Sequence, residues 1–227
     1  MNVLIACEES QRVCIEFRKR GHNAFSCDIM ECSGGHPEWH IQGDVLPLLN
    51  GAGDDYGKIM FVTQDNSSHI LPRKWDMIIA FPPCTYLTAA AAVRLFNKDH
   101  SVKDPERLQK GHEAAKFFKA ILDADCERIA VENPVQIKCF GLPKYDQIIE
   151  PFMFGDPWRK RTCLWLKNLP QLAPSEMVEP LGLWVGSTCA NRDPSIYTRY
   201  SLTSIRDSKT RAKTFPGIAK AMAEQWG

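Results

Sequence analysis

Trp75-Asp76-Met77-Ile78-Ile79-Ala80-Phe81-Pro82-Pro83-Cys84 decides the fold. Met77–Phe81 is short, continuously apolar and closed by a breaker, the pattern of a buried strand in a parallel sheet. The Pro-Pro pair stiffens the backbone, removes two amide donors and presents Cys84 at the strand's carboxyl end. That edge is where open α/β sheets bind ligands. A second run, Arg128-Ile129-Ala130-Val131, ends in Glu132-Asn133-Pro134 with the same layout. A thiol and a carboxylate at neighbouring strand ends make a nucleophile and acid pair. Taken alone, Cys84 also suits a buried structural role, since free Cys behaves as a small hydrophobe; the matching Glu132 terminus argues against it.

Working outward, strands alternate with helices, which indicates an α/β fold around a largely parallel sheet. Asn2–Ala6 reads as a strand, Gln11–Arg20 as a helix with Ser10 as N-cap, and Ala24–Cys27 as a strand ending at Asp28. A Gly/His-rich loop leads to a short strand at His40–Ile41 and then Gly43-Asp44. Lys58–Thr63 alternates as a strand inside an inserted element, with Asp65-Asn66-Ser67-Ser68 as its turn. A long helix from Pro105 to Ala124, capped by Asp104, turns Leu108, Ala115, Phe118 and Leu122 inward. Beyond Pro151 come a strand at Thr162–Leu166, an aperiodic stretch, and a closing helix at Pro216–Gln225 with Ile218 and Met222 on its apolar face.

At 227 residues, 44% apolar and 24% charged, the composition is that of a soluble globular chain with one full core. No run approaches membrane-spanning length, and Met1–Glu8 is too short and too acidic for a signal peptide. Nine cysteines without a CxxC pair fit reduced thiols in cytoplasm. The net charge of +1 hides an asymmetry. Ten Lys/Arg against four acids between Trp158 and Lys213 give +6 there and leave −5 for residues 1–157. A basic third beside an acidic body suits a protein that meets phosphate with one side only, although a solvated charged surface has the same composition. Cys32-x-x-x-His36-x-x-x-His40, with Cys27 nearby, has zinc-type ligands at a spacing that matches no common motif, so no metal is assigned.

These residues together resemble the cytosine-5 DNA methyltransferases, and small phage and prophage members most of all. Pro82-Pro83-Cys84 is similar to the family's nucleophile motif and Glu132-Asn133-Pro134 to its Glu-Asn-Val motif. Arg159-Lys160-Arg161 resembles the end of its Gln-x-Arg-x-Arg motif, with Pro157 in the Gln place. Thr214–Met222 resembles its closing helix. The resemblance implies a Rossmann-like methyltransferase fold, S-adenosylmethionine as cofactor and duplex DNA as partner, with the target base extruded into the site. It implies Cys84 as covalent nucleophile, Glu132 as the acid at cytosine N3, Arg161 at O2 and Arg159 beside the thiolate. It places the cofactor along Ala6, Cys7, Glu8, Asp28, Ile29, Asp44, Val45 and Phe81, with Asp28 toward ribose hydroxyls and Asp44 toward the adenine amino group. The family's Phe-x-Gly-x-Gly loop corresponds here to Ala6-Cys7-Glu8-Glu9-Ser10, which has no glycine.

The expected organisation is a catalytic core at 1–166, a very small basic recognition segment at 167–209, and a helix at 210–227 returning to the core. Basic residues of that segment, with Trp184, Tyr197 and Tyr200, are candidates for phosphate contact and base stacking. Other readings remain open. An amino-group methyltransferase would want Asp, Asn or Ser before Pro-Pro and an aromatic after it, where Phe81 and Cys84 stand. C5-pyrimidine modification of a free nucleotide or with another one-carbon donor, and a non-catalytic nucleic-acid-binding relative, are the others; a partner subunit or a dimer is compatible with each.

Overall fold

The computed structural model describes residues 1–180, 183–184 and 208–227. The first half of the chain forms β1 (Asn2–Ala6), α1 (Arg12–Lys19), β2 (Asn23–Asp28), β3 (His40–Gln42), a hairpin of β4 (Met60–Val62) and β5 (Ser68–Ile70), and β6 (Met77–Ala80). Then come α2 (Ala92–Leu95), α3 (Pro105–Leu122), β7 (Arg128–Asn133), β8 (Gln147–Ile149), β9 (Trp158–Arg159) and β10 (Thr162–Lys167). The last elements described are β11 (Leu183–Trp184), α4 (Ser208–Ala212) and α5 (Pro216–Trp226).

Seven strands form one sheet in the order β3-β2-β1-β6-β7-β10-β8. The five from β3 to β7 run parallel, while β10 lies antiparallel between β7 and β8. The fold is therefore α/β with a mostly parallel central sheet, compatible with a Rossmann-like arrangement. The chain moves outward from β1 to β3, then crosses back to β6 on the other side of β1. That reversal opens a crevice at the carboxyl ends of β1 and β6.

The central strands are apolar throughout because both faces are covered, and the pleat sorts their residues between two cores. Leu4, Ala6, Ile78, Ala80, Ile129 and Val131 face the side packed by Ala115, Phe118 and Ile121 of α3. Val3, Ile5, Met77, Ile79 and Ala130 face Val13 and Phe17 of α1 and Ile218, Met222 and Trp226 of α5. Phe118 is fully buried edge-on to Trp165, their rings 5.0 Å apart. Burying a ring of that size stabilises the fold by about 1.5–3 kcal/mol.

Helix starts differ in how they are made. At α3, Asp104 accepts from the Arg107 amide at 2.9 Å and Pro105 occupies the first turn, as its sequence predicts. At α1 the expected Ser10 cap is absent; Gln11 precedes the helix in a left-handed conformation without a side-chain cap. The buried Glu8 carboxylate does that work instead, accepting from the amides of Val13 at 2.7 Å and Cys14 at 3.2 Å. At α5, Gly217 brings the helix against Phe154. A Cβ there would lie 1.7 Å from the Phe154 carbonyl oxygen, and the Gly217 amide donates to Asp156 Oδ2 at 2.8 Å.

Of the recognition-segment candidates, Arg192, Tyr197, Arg199, Tyr200 and Arg206 lie outside the described residues. No helix among the described residues is long and apolar enough to cross a membrane.

Candidate functional site

Cys84 and Glu132 arrive from adjacent parallel strands. Ala80 is registered against Val131, so the chain beyond β6 and the last turn of β7 leave the sheet side by side. The loops that follow are tied together. Asn133 Nδ2 donates to the Pro82 carbonyl at 2.7 Å, and the Ala89 and Ile137 amides each donate to the opposite segment at 2.8 Å. Cys84 is open to solvent on one side, whereas Glu132 is half-buried.

Electrostatics joins the two groups. Burial and then the Glu132 charge raise the Cys84 thiol pKa, while Lys160 and Arg211 pull it back down. Burial raises the Glu132 pKa; Lys160 and a hydrogen bond from Thr162 oppose it. One lysine thus faces both groups. It comes from the chain just before β10, whose antiparallel course sets Leu164 opposite Glu132 and brings Thr162 and Lys160 onto the Glu132 side. Of the two arginines assigned by resemblance, Arg159 lays its guanidinium over the Phe152 ring at 5.4 Å. Arg161 is exposed, and its charge acts on Cys163. Lys160, Thr162, Asn133 and Arg211 are the participants the motif reading passed over. For Lys160 a signal existed, since it stands inside the quoted Arg-Lys-Arg.

The expected cofactor residues collect at the carboxyl ends of β1, β2, β3 and β6. Ala6 is buried and registered with both Cys27 and Ala80. Cys7 takes the left-handed conformation, φ 58°, at the turn that follows β1; such a residue costs about 1–3 kcal/mol and is retained where the surroundings enforce it. Burial first, then the nearby Asp28 and Asp44 carboxylates, raise the thiols of Cys7 and Cys27, the latter to about 12. Asp28 and Asp44 therefore share one acidic corner. Each also accepts a backbone amide two residues on, Met30 at 2.9 Å and Leu46 at 3.0 Å. Ile29 beside them is 77% exposed, an apolar surface next to two carboxylates. Phe81 is half-buried at the edge of the core under α1 and α5. Three members do not offer side chains to a ligand: Ala6 and Val45 pack into the core, and both Glu8 oxygens are committed to α1 amides. Burial pushes Glu8 up to about 8 against the pull of those hydrogen bonds.

The Cys32, His36 and His40 loop is built for packing. His40 is fully buried, with Nδ1 against Ser26 Oγ and Nε2 against the Met30 carbonyl, both at 2.9 Å. His36 stacks on Trp39 at 3.9 Å and meets Glu38 at 3.0 Å. Gln11 clamps the same loop through the His36 backbone, and Gly34 is needed because a Cβ would lie 2.6 Å from Gln11 Cβ. Among the described residues no group of three or more His, Cys, Asp or Glu could hold a metal ion. A separate cleft lined by Ile15, Arg18, His22, His36 and Trp39 contains none of the catalytic or cofactor candidates.

Fold and geometry together define an α/β protein with a coupled thiol–carboxyl–ammonium cluster at the carboxyl edge of its sheet, next to an acidic corner at the strand reversal. No protein-family model matches the sequence, and no curated protein matches it.

Proposed function

We propose that the protein is a DNA cytosine-5 methyltransferase using S-adenosylmethionine, with Cys84 as the covalent nucleophile, acting in the cytoplasm. The observation that carries the reading is the electrostatic coupling of Cys84, Glu132 and Lys160 at the ends of neighbouring parallel strands. Cytosine C5 is too poor a nucleophile to accept a methyl group until a thiolate adds at C6. The site needs a thiolate and a protonated carboxyl at the same moment. Passing one proton from Cys84 to Glu132 produces both: burial raises the Glu132 pKa and favours its protonated form, and Lys160 favours the resulting thiolate. The Sγ–C6 bond then forms while Glu132 donates to N3, leaving an enamine whose C5 is nucleophilic. After methylation, loss of the C5 proton to solvent, return of the N3 proton to Glu132 and departure of Sγ restore the ring, the carboxyl and the thiolate.

The acidic corner supports the cofactor. S-adenosylmethionine supplies an electrophilic methyl group on a positively charged sulfur, and Asp28 and Asp44 would hold its ribose hydroxyls and adenine amino group. A dinucleotide fits badly, because its pyrophosphate would claim the α1 N-terminal amides that Glu8 already occupies.

The test is transfer of labelled methyl to duplex DNA, followed by incubation with duplex carrying 5-fluorocytosine, where elimination from C5 is blocked. A denaturation-resistant adduct is expected through Cys84, with Cys84→Ser reduced to background turnover. Methyl transfer by Cys84→Ser within tenfold of wild type would defeat the assignment. Transfer without any adduct would favour an amino-group acceptor.

A further inference from the structure

Four buried side-chain atoms lack a hydrogen-bond partner among the described residues: Arg107 Nε, Asn133 Oδ1, and both Nε2 and Oε1 of Gln136. All belong to residues that brace the segment from Pro82 to Thr88. Asn133 holds the Pro82 carbonyl, Arg107 donates to the Thr85 carbonyl and lies over the Tyr86 ring, and Gln136 bridges to Thr88. Buried polar groups are nearly always paired, so their concentration around one loop marks a place where partners come from outside. Gln136 is the most exceptional, with its whole amide unpaired. The bonds from Ala89 to Val135 and from Ile137 to Leu87 flank the Thr88–Gln136 pair, which makes it the closely spaced type of antiparallel pair. Thr88 and Gln136 therefore leave the ladder on the same side, while Leu87 and Ile137 point into the core.

We infer that Gln136 is a specificity-determining residue of the proposed methyltransferase, and that its amide reads an adenine flanking the target cytosine. This rests on the cytosine reading of Cys84 and extends it. The extruded cytosine already meets Glu132 at N3, so a second donor–acceptor pair nearby serves a second base. In duplex DNA the base offering an acceptor beside an amino donor in the major groove is adenine, at N7 and N6, and a glutamine amide matches it two-for-two. In the unbound protein the amide is covered, and DNA that displaces the Cys84 segment supplies its missing partners.

The experiment uses the full chain with 5-fluorocytosine duplexes of randomised flanks. Adducts of wild type and Gln136→Leu are sequenced, and thermal unfolding is measured in parallel. Wild-type adducts are expected to be enriched in adenine at one flanking position, with that enrichment reduced at least tenfold in Gln136→Leu. The variant should melt no lower than wild type and up to about 2–4 °C higher, since removing unpaired buried polar atoms is neutral or stabilising. Gln136→Glu should also lose the preference, because it keeps only acceptors. Unchanged flanking preference in Gln136→Leu would overturn the inference while leaving the cytosine reading intact. A lower melting temperature with turnover preserved would overturn it too, by showing the amide to be structurally paired. Absence of a wild-type adduct on every flank would defeat the cytosine reading itself, and this inference with it.

Discussion

Replacing Glu8 by Gln isolates one of the larger energies in this fold. Glu8 is buried, and its pKa stands at about 8 in the folded protein against an ordinary 4.5. Between those values the folded chain keeps a proton that the unfolded chain has released, so unfolding becomes easier as pH rises. The stabilisation is complete below pH 4.5 and is lost as pH rises through about 8. At about 1.4 kcal/mol per pKa unit the full displacement corresponds to about 5 kcal/mol, an upper figure because water penetration and relaxation reduce it. Glutamine copies the protonated carboxyl: its carbonyl accepts the Val13 amide, and it has no proton to release. Its NH2 meets the Cys14 amide where the second Glu8 oxygen accepts, a cost that is the same at every pH, so the gap between Glu8→Gln and wild type should move by several kcal/mol in the variant's favour between pH 4.5 and pH 9. Urea unfolding followed by circular dichroism at each pH measures the gap, and other titrating groups cancel between the two proteins. Curves that stay parallel within about 1 kcal/mol from pH 4.5 to 9 would refute the argument by showing that burial does not hold the Glu8 proton.

Alkylation of Cys84 by iodoacetamide, followed across pH by mass spectrometry, tests the site electrostatics without substrate. Glu132→Gln removes a charge that raises the thiol pKa and should speed modification at neutral pH, whereas Lys160→Met should slow it; the reverse order would break the proposed cluster. Asp28→Ala and Asp44→Ala should each weaken S-adenosylmethionine binding about ten- to a hundredfold in calorimetry, the worth of one charge-assisted hydrogen bond. Gly217→Ala should lower the melting temperature by about 6–12 °C, because the new methyl group meets the Phe154 carbonyl and the whole α5 contact must shift.

Met77–Ala80 and Arg128–Asn133 were legible because burial on both faces writes itself as an uninterrupted apolar run, and Asp104-Pro105 announces α3 through purely local chemistry. The start of α1 was not legible, since its cap is a carboxyl two residues before Ser10 that reaches the amides across a left-handed turn at Gln11. β8 is three residues long and, among the described strands, pairs with β10 alone, which leaves no local periodicity to read. The motif placed a cation beside Cys84 and Glu132. Which of three consecutive basic residues faces them depends on the register of Leu164 against Glu132, a contact more than thirty residues apart in the chain. Sequence spacing brought the strand ends together, and strand pairing selected Lys160.

The reversed direction of β10 also orders how the site comes into being. β8 emerges earlier in synthesis yet pairs with β10 alone among the described strands, so the far edge of the sheet stays unpaired until residues 162–167 slide in beside β7. Until that moment Cys84 lacks the ammonium of Lys160, whose charge lowers the thiol pKa against burial and the Glu132 carboxylate. The strand that completes the sheet is thus also the one that brings a lysine to the Cys84–Glu132 pair.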